Sequence, residues 1–182
     1  MSRIGKLPVA IPAGVTVTYA NNLVTVKGAK GTLTQQITGD IDIKIEGTEV
    51  HVLNVGSTAD SNAKHGLYRA LIHNMVVGVT EGYKKTLKVN GVGWKVAKQG
   101  NKVVLNVGFS HPVDFVEPEG VKLECPSVTE IVVSGIDKTL VGQTAANIRK
   151  IRTPEPYHGY GIAYSDEVIE RKEGKTGGKG KK

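Results

Sequence analysis

Arg149, Lys150 and Arg152 crowd three cations into four positions, and Pro154, Pro156, Tyr157, His158, Gly159, Tyr160, Gly161 and Tyr164 follow at once. These residue types name a chemistry. Cationic side chains neutralise phosphates and release condensed counterions, while flat aromatic faces stack on an unpaired base for ~1–3 kcal/mol each. The prolines restrict the backbone, and the glycines let a partner's backbone come close. Such a segment suits a phosphate backbone. A plainer role competes for the three cations, because positive charge in the last turn of a helix complements its dipole for ~0.3–1 kcal/mol per residue.

The elements that must hold this segment are legible on either side of it. Val141, Ala145 and Ile148 fall at i, i+4 and i+7, with Leu140, Thr144 and Ile151 beside them, which predicts an amphipathic helix over 138–151. Asp137 is placed to cap its start, and Pro154 and Pro156 stop it. The apolar face should rest on a sheet, so the basic end is fixed in space. Beyond it, residues 171–182 hold six basic side chains, one acid and four glycines. This tail is expected to stay disordered until an anion orders it, with Arg171, Lys172, Lys175 and Lys179 as further contacts; a merely solubilising tail is the alternative.

Upstream, period-two alternation dominates. Val15, Val17 and Tyr19, then Val24 and Val26, flank Asn21-Asn22 and read as a hairpin; strands come next around 33–37, 41–45 and 49–53. Ser57 with Asp60 suggests a capping box. Ala63, Leu67, Ala70, Leu71, Asn74 and Val77 then keep helical spacing up to Gly78. Strands resume at 87–89, 92–96, 103–107, 113–116, 121–123 and 131–133 before the second helix. Thr48–Val52 matches Thr129–Val133 at an offset of 81, Gly28 matches Gly108 at 80, and Gly66, Ala70 and Ile72 match Gly142, Ala146 and Ile148 at 76. Offsets this steady indicate an internal duplication. The expected fold is α+β: two tandem homologous domains, 1–81 and 82–170, each an antiparallel sheet with one packed helix, then the tail.

Composition narrows the function. Residues 1–81 carry seven basic and six acidic side chains and residues 82–182 carry seventeen and eleven, so the halves are +1 and +6. A basic half points to an anionic partner, and nucleic acid is favoured over membrane because no stretch has the ~18 apolar residues of a spanning helix. Cys125 is the sole cysteine and precludes an intrachain disulfide. A reducing compartment is favoured, and the start of the chain reads as neither a secretory signal nor a transit peptide, so a cytoplasmic protein is expected. The five histidines lack zinc-like spacing; His65 and His73 read as solvated helix positions that could reach RNA. Gly174-Lys175-Thr176 ends like a phosphate-binding loop, but Ile169 stands where that motif needs glycine. Asn90-Gly91-Val92-Gly93 reads as a bulge or close backbone contact, since no helix follows. Neither a carboxylate pair nor a Ser/His/Asp grouping is signalled, so no enzyme, cofactor or metal is expected.

Several blocks together carry a resemblance: MSRIGKLPVAIP, KHGLYRALIHNMVVGVTEGY, GVGWKV, LNVGFSHPV and VSGIDKTLVGQTAANIRKIRTPEPY. In this order the chain resembles the bacterial form of large-subunit ribosomal protein six along nearly its whole length. The resemblance implies a duplicated two-domain protein of the 50S subunit that is monomeric within the ribosome. It implies binding to 23S rRNA chiefly through the C-terminal domain, near the stalk base and its neighbouring proteins, the factor-binding region and the subunit interface. It also implies that Arg149, Lys150, Arg152, the Pro154–Tyr157 turn, Gly159 and Gly161 touch RNA or support what does. A nucleic-acid-binding protein acting outside the ribosome is the alternative. Where the family usually shows Lys-Gly-Lys-Gly-Ile, this chain has His158-Gly159-Tyr160-Gly161-Ile162, then Ala163 in place of a nearby basic residue. Either His158 and Tyr160 substitute hydrogen bonding and stacking, or the tail supplies the missing charge.

Overall fold

Two compact units account for residues 2–175, which the computed structural model describes. The first runs to Tyr83 and includes Gly135–Thr139, and the second comprises Lys84–Ser134 and the chain from Leu140 onward. No helix among the described residues is long and apolar enough to cross a membrane.

In the first unit, β1 (Val9–Ala10), β2 (Thr16–Ala20), β3 (Leu23–Gly28), β4 (Gly31–Gln36), β5 (Ile41–Glu46) and β6 (Glu49–Asn54) precede α1 (Ala59–Thr80). The strands make two antiparallel sheets, ordered β1-β6-β5 and β2-β3-β4, rather than one. Alternation sets which face is dry: Val24, Val26, Val50 and Val52 point inward and their neighbours outward. The β2–β3 turn places Asn21 and Asn22 at φ 51° and 58°, the left-handed pair that a two-residue hairpin needs and asparagine tolerates.

The first helix departs from its expected limits and face. Thr58, not Ser57, caps it: the Thr58 hydroxyl accepts from Ser61 N at 3.1 Å. The helix runs past Gly78, where the missing side chain admits the Ile136 carbonyl, and stops at Thr80. Its buried face is His65, Tyr68, Ile72, Met75, Val76 and Val79, whereas Leu67 is exposed. Tyr68 and His65 hold core positions through bonds to other segments of the unit, although His65 Nδ1 has no partner among the described residues. Tyr68 Oη accepts from Thr38 N at 3.0 Å, and His65 Nε2 meets the Val52 carbonyl at 2.9 Å. His65 therefore lies inside, packed against Gly5, and not on a solvated surface as expected; His73 is exposed.

In the second unit, save for Tyr83, Gly135, Lys138 and Thr139 at element ends, which count with the first, β7 (Tyr83–Asn90), β8 (Lys95–Gln99), β9 (Lys102–Asn106), β10 (Val113–Val116), β11 (Val121–Ser127) and β12 (Glu130–Gly135) lead to α2 (Lys138–Ile151) and β13 (Gly161–Tyr164). The sheets are ordered β8-β9-β10 and β11-β12-β7-β13. This is the first unit's connectivity again, with β7, β8 and β9 standing for β1, β2 and β3, and so on. Ile131 and Val133 are buried 81 positions after Val50 and Val52, and Val141, Thr144 and Ile148 are buried 76 positions after His65, Tyr68 and Ile72. The duplication is thus visible in strand order and in core register. Among the described residues, the one strand without a counterpart is β13, and it returns from the basic segment.

Candidate nucleic-acid interface

The second helix starts as its sequence predicts and buries the expected line of residues, except that Leu140, expected beside that line, is 44% exposed. Asp137 Oδ1 accepts from Thr139 N at 2.7 Å, and Val141, Thr144, Ala145 and Ile148 are buried. Arg149 and Lys150 occupy the last turn. Beyond the helix the backbone folds back on itself. Ile162 N donates to the Arg152 carbonyl at 2.8 Å and Glu155 N to the Tyr160 carbonyl at 3.0 Å, so residues 152–162 close into a loop. The returning strand β13 pairs antiparallel with β7, Gly161 opposite Asn90 and Tyr164 opposite Leu87. Asn90 Nδ2 adds a bond to the Gly159 carbonyl at 3.2 Å. Gly159 sits at φ 74°, which a side chain would disfavour. The loop is therefore stapled to a sheet edge, because prolines and glycines permit the reversal that β pairing then locks.

The cations differ in how they are held. Arg149 Nε donates to Glu167 Oε2 at 2.9 Å and its terminal nitrogen to Oε1 at 2.5 Å; Glu167 also accepts from Tyr164 N at 3.1 Å. The hydrogen bond from Arg149 holds the Glu167 carboxyl below the usual carboxylate range. Much of Arg149's charge is thus cancelled within the protein. Lys150 and Arg152 are exposed and have no carboxylate partner among the described residues. The Arg152 guanidinium instead lies 5.2 Å from the ring centre of Phe109 and 5.9 Å from that of Trp94.

The remaining candidates line the same loop. Pro154 lies half-buried under Gly161, and Tyr157 is 54% exposed. His158 meets Glu155 Oε1 at 3.1 Å and stacks on Tyr160 at 5.2 Å with rings 14° from parallel. Tyr160 is in turn tilted against Trp94 at 6.4 Å. The first tail residues come back to the loop: Lys172 N donates to the Pro156 carbonyl at 2.7 Å, and Arg171 lies against Gly159. Lys175 is exposed, whereas Lys179 and the expected disorder beyond Lys175 lie outside the described residues.

Trp94, Phe109 and His111 join this surface without standing out in the sequence, since they come from the β7–β8 and β9–β10 connections, far from the basic run. A signal exists all the same. Gly91 reads as a close-contact glycine, and what it contacts is the Trp94 indole: a Cβ there would meet Cε2 at 2.6 Å, and one on Gly108 would meet Nε1 at 3.1 Å.

Replacing Glu167 by glutamine should cost about 1 kcal/mol at neutral pH, since it leaves the Arg149 fork with a neutral partner. The sign with pH is set by a folded carboxyl pKa lying below its unfolded value. Its stabilisation is complete above the unfolded pKa near 4.3 and is lost as pH falls through the folded one, so denaturant curves of parent and variant should converge there.

Comparison with known proteins bears on what this surface serves. Residues 11–82 and 90–165 both match the family described as Ribosomal protein L6. The chain belongs to the ribosomal protein L6 family. Two proteins named "Large ribosomal subunit protein uL6" illustrate the likeness: one from Clostridium kluyveri is 58% identical over 98% of this chain and 100% of its own length. The other, from Ruminiclostridium cellulolyticum, is 55% identical over 100% of both chains. Members of this family are structural proteins and not enzymes. The second L6 match takes in the basic loop and β13 and ends at residue 165, before Glu167 and the tail.

Proposed function

We propose that the chain is a structural constituent of the large ribosomal subunit whose second domain, residues 82–170, binds 23S rRNA through the end of α2 and the loop closed by β13. One observation carries this reading: Lys150 and Arg152 stand exposed, with no carboxylate partner among the described residues, at a helix end that hydrogen bonds and strand pairing fix in place. RNA is met there by shape, phosphates and 2′-hydroxyls rather than by base edges in a deep groove. Tyr157, His158 and Tyr160 offer ring faces beside those cations, and Arg171, Lys172, Lys175 and Lys179 add charge where the loop has lost it. By likeness to the family, the protein sits as a monomer in the cytoplasmic 50S subunit. Its place there is near the stalk base and its proteins, the translation-factor region and the subunit interface.

Sedimentation through a magnesium-containing gradient at physiological salt tests the placement. The tagged chain should travel with large subunits, and a chain running free of them defeats the proposal. Footprinting on 23S rRNA separates this reading from a general nucleic-acid binder. The ribosomal component protects a defined set of nucleotides, whereas the general binder protects none reproducibly and takes duplex DNA as well.

A further inference from the structure

We infer that Trp94 and Phe109 are positioning residues, which hold the Arg152 guanidinium against their rings so that its charge and N–H edge stay available to an RNA phosphate. The inference rests on the RNA-binding reading above and identifies, within that surface, which cation is presented and by what means.

An arginine side chain near a flexible connection can be fixed in two ways. A carboxylate fixes it by hydrogen bonding but cancels its charge, as Glu167 does to Arg149. Aromatic faces fix it through the ring quadrupole, within ~6 Å of the centroid, and leave the net charge and the five N–H donors unspent. Arg152 is held in the second way, at 5.2 Å from Phe109 and 5.9 Å from Trp94. The rings are themselves secured. The indole lies over Gly91 and Gly108, with Tyr160 tilted against it at 6.4 Å, while Phe109 is backed by His111 at 6.4 Å with planes 25° apart. Neither ring belongs to the buried core, and Phe109 is 41% exposed. Their placement is explained by what they grip. A guanidinium already restricted to one region loses less side-chain freedom when a phosphate arrives, and its planar fork suits two phosphate oxygens.

The test is a double-mutant cycle on the full chain, reading affinity for 23S rRNA and its salt dependence. Arg152→Ala should reduce the slope of log K against log salt by about 0.7–0.9. Trp94→Leu should weaken binding roughly threefold when Arg152 is present, the size of one lost cation–ring contact. In the Arg152→Ala background the same change should have almost no effect, and Trp94→Tyr should bind like the parent. Equal losses in both backgrounds overturn the inference, because Trp94 would then act on RNA or on the fold directly. The Phe109→Leu cycle is run in parallel and decides the matter if Trp94→Leu does not fold. Should Arg152→Ala change neither affinity nor slope, the RNA-binding reading of this face fails as well, a result distinct from additive cycles.

Discussion

Replacing Lys150 and Arg152 together by glutamate should lower affinity for 23S rRNA on the order of 100-fold at physiological salt and flatten the salt slope by about 1.5. Each charge-assisted contact to phosphate is worth more than a neutral hydrogen bond, and reversal adds repulsion to the loss. The fold should survive. Both side chains are exposed, and neither has a carboxylate partner among the described residues. Arg149 is left out of this variant on purpose, since its removal would strand Glu167, which is 24% exposed, and so mix a stability effect into a binding measurement. Binding isotherms at several salt concentrations, with thermal melts of the same samples, check both halves of the expectation. An unchanged slope would contradict it.

Gly161→Ala should destabilise the second unit by about 2–4 kcal/mol, lowering its thermal midpoint by roughly 10 °C or more. The main reason is contact, beyond the cost of a side chain at φ 157°. A Cβ at this position would meet the Pro154 nitrogen at 2.5 Å and the Thr153 carbonyl carbon at 2.8 Å, and those are backbone atoms that cannot swing aside. The chain must then part between the loop and β13, giving up the Ile162 N to Arg152 carbonyl bond that closes the loop. Gly142→Ala is the natural control, since it lies exposed on α2 with nothing within 4 Å of the added carbon. That control should hold or slightly raise stability, because alanine is the better helix former by ~1 kcal/mol. Melts of the two variants that coincide would refute the packing argument.

How far the sequence discloses the structure depends on the range of the forces involved. Strands betray themselves by alternation and α2 by its spacing, since each is a local pattern imposed by one dry face. The duplication is readable for the same reason, as repeated spacing of Val50 and Val52 against Ile131 and Val133. The inward face of α1 is not, because the helix is apolar on more than one side. Only long-range partners, Thr38 for Tyr68 and the Val52 carbonyl for His65, determine which side turns inward. The splitting of each sheet into two is equally hidden, as alternation does not say where pairing lapses. In the interface, the basic run stands out as a cluster in sequence, but the closed loop that follows it does not, since the bonds that close it join residues on either side of the turn. The division of labour among its cations is also out of reach, because Glu167 lies 18 positions from Arg149, and Trp94 and Phe109 reach Arg152 from separate connections.

The pairing of β13 with β7 also bears on the protein's life before it meets RNA. Without that strand, the flank of an eight-residue strand would offer a row of unsatisfied amides to any passing chain, an invitation to aggregate. The first unit runs little of that risk, as its counterpart β1 is two residues long. The same piece of backbone that braces the cationic loop thus also covers Leu87–Asn90 and puts a strand of only four residues at that border, so a newly made molecule awaiting assembly shows its siblings a shorter edge.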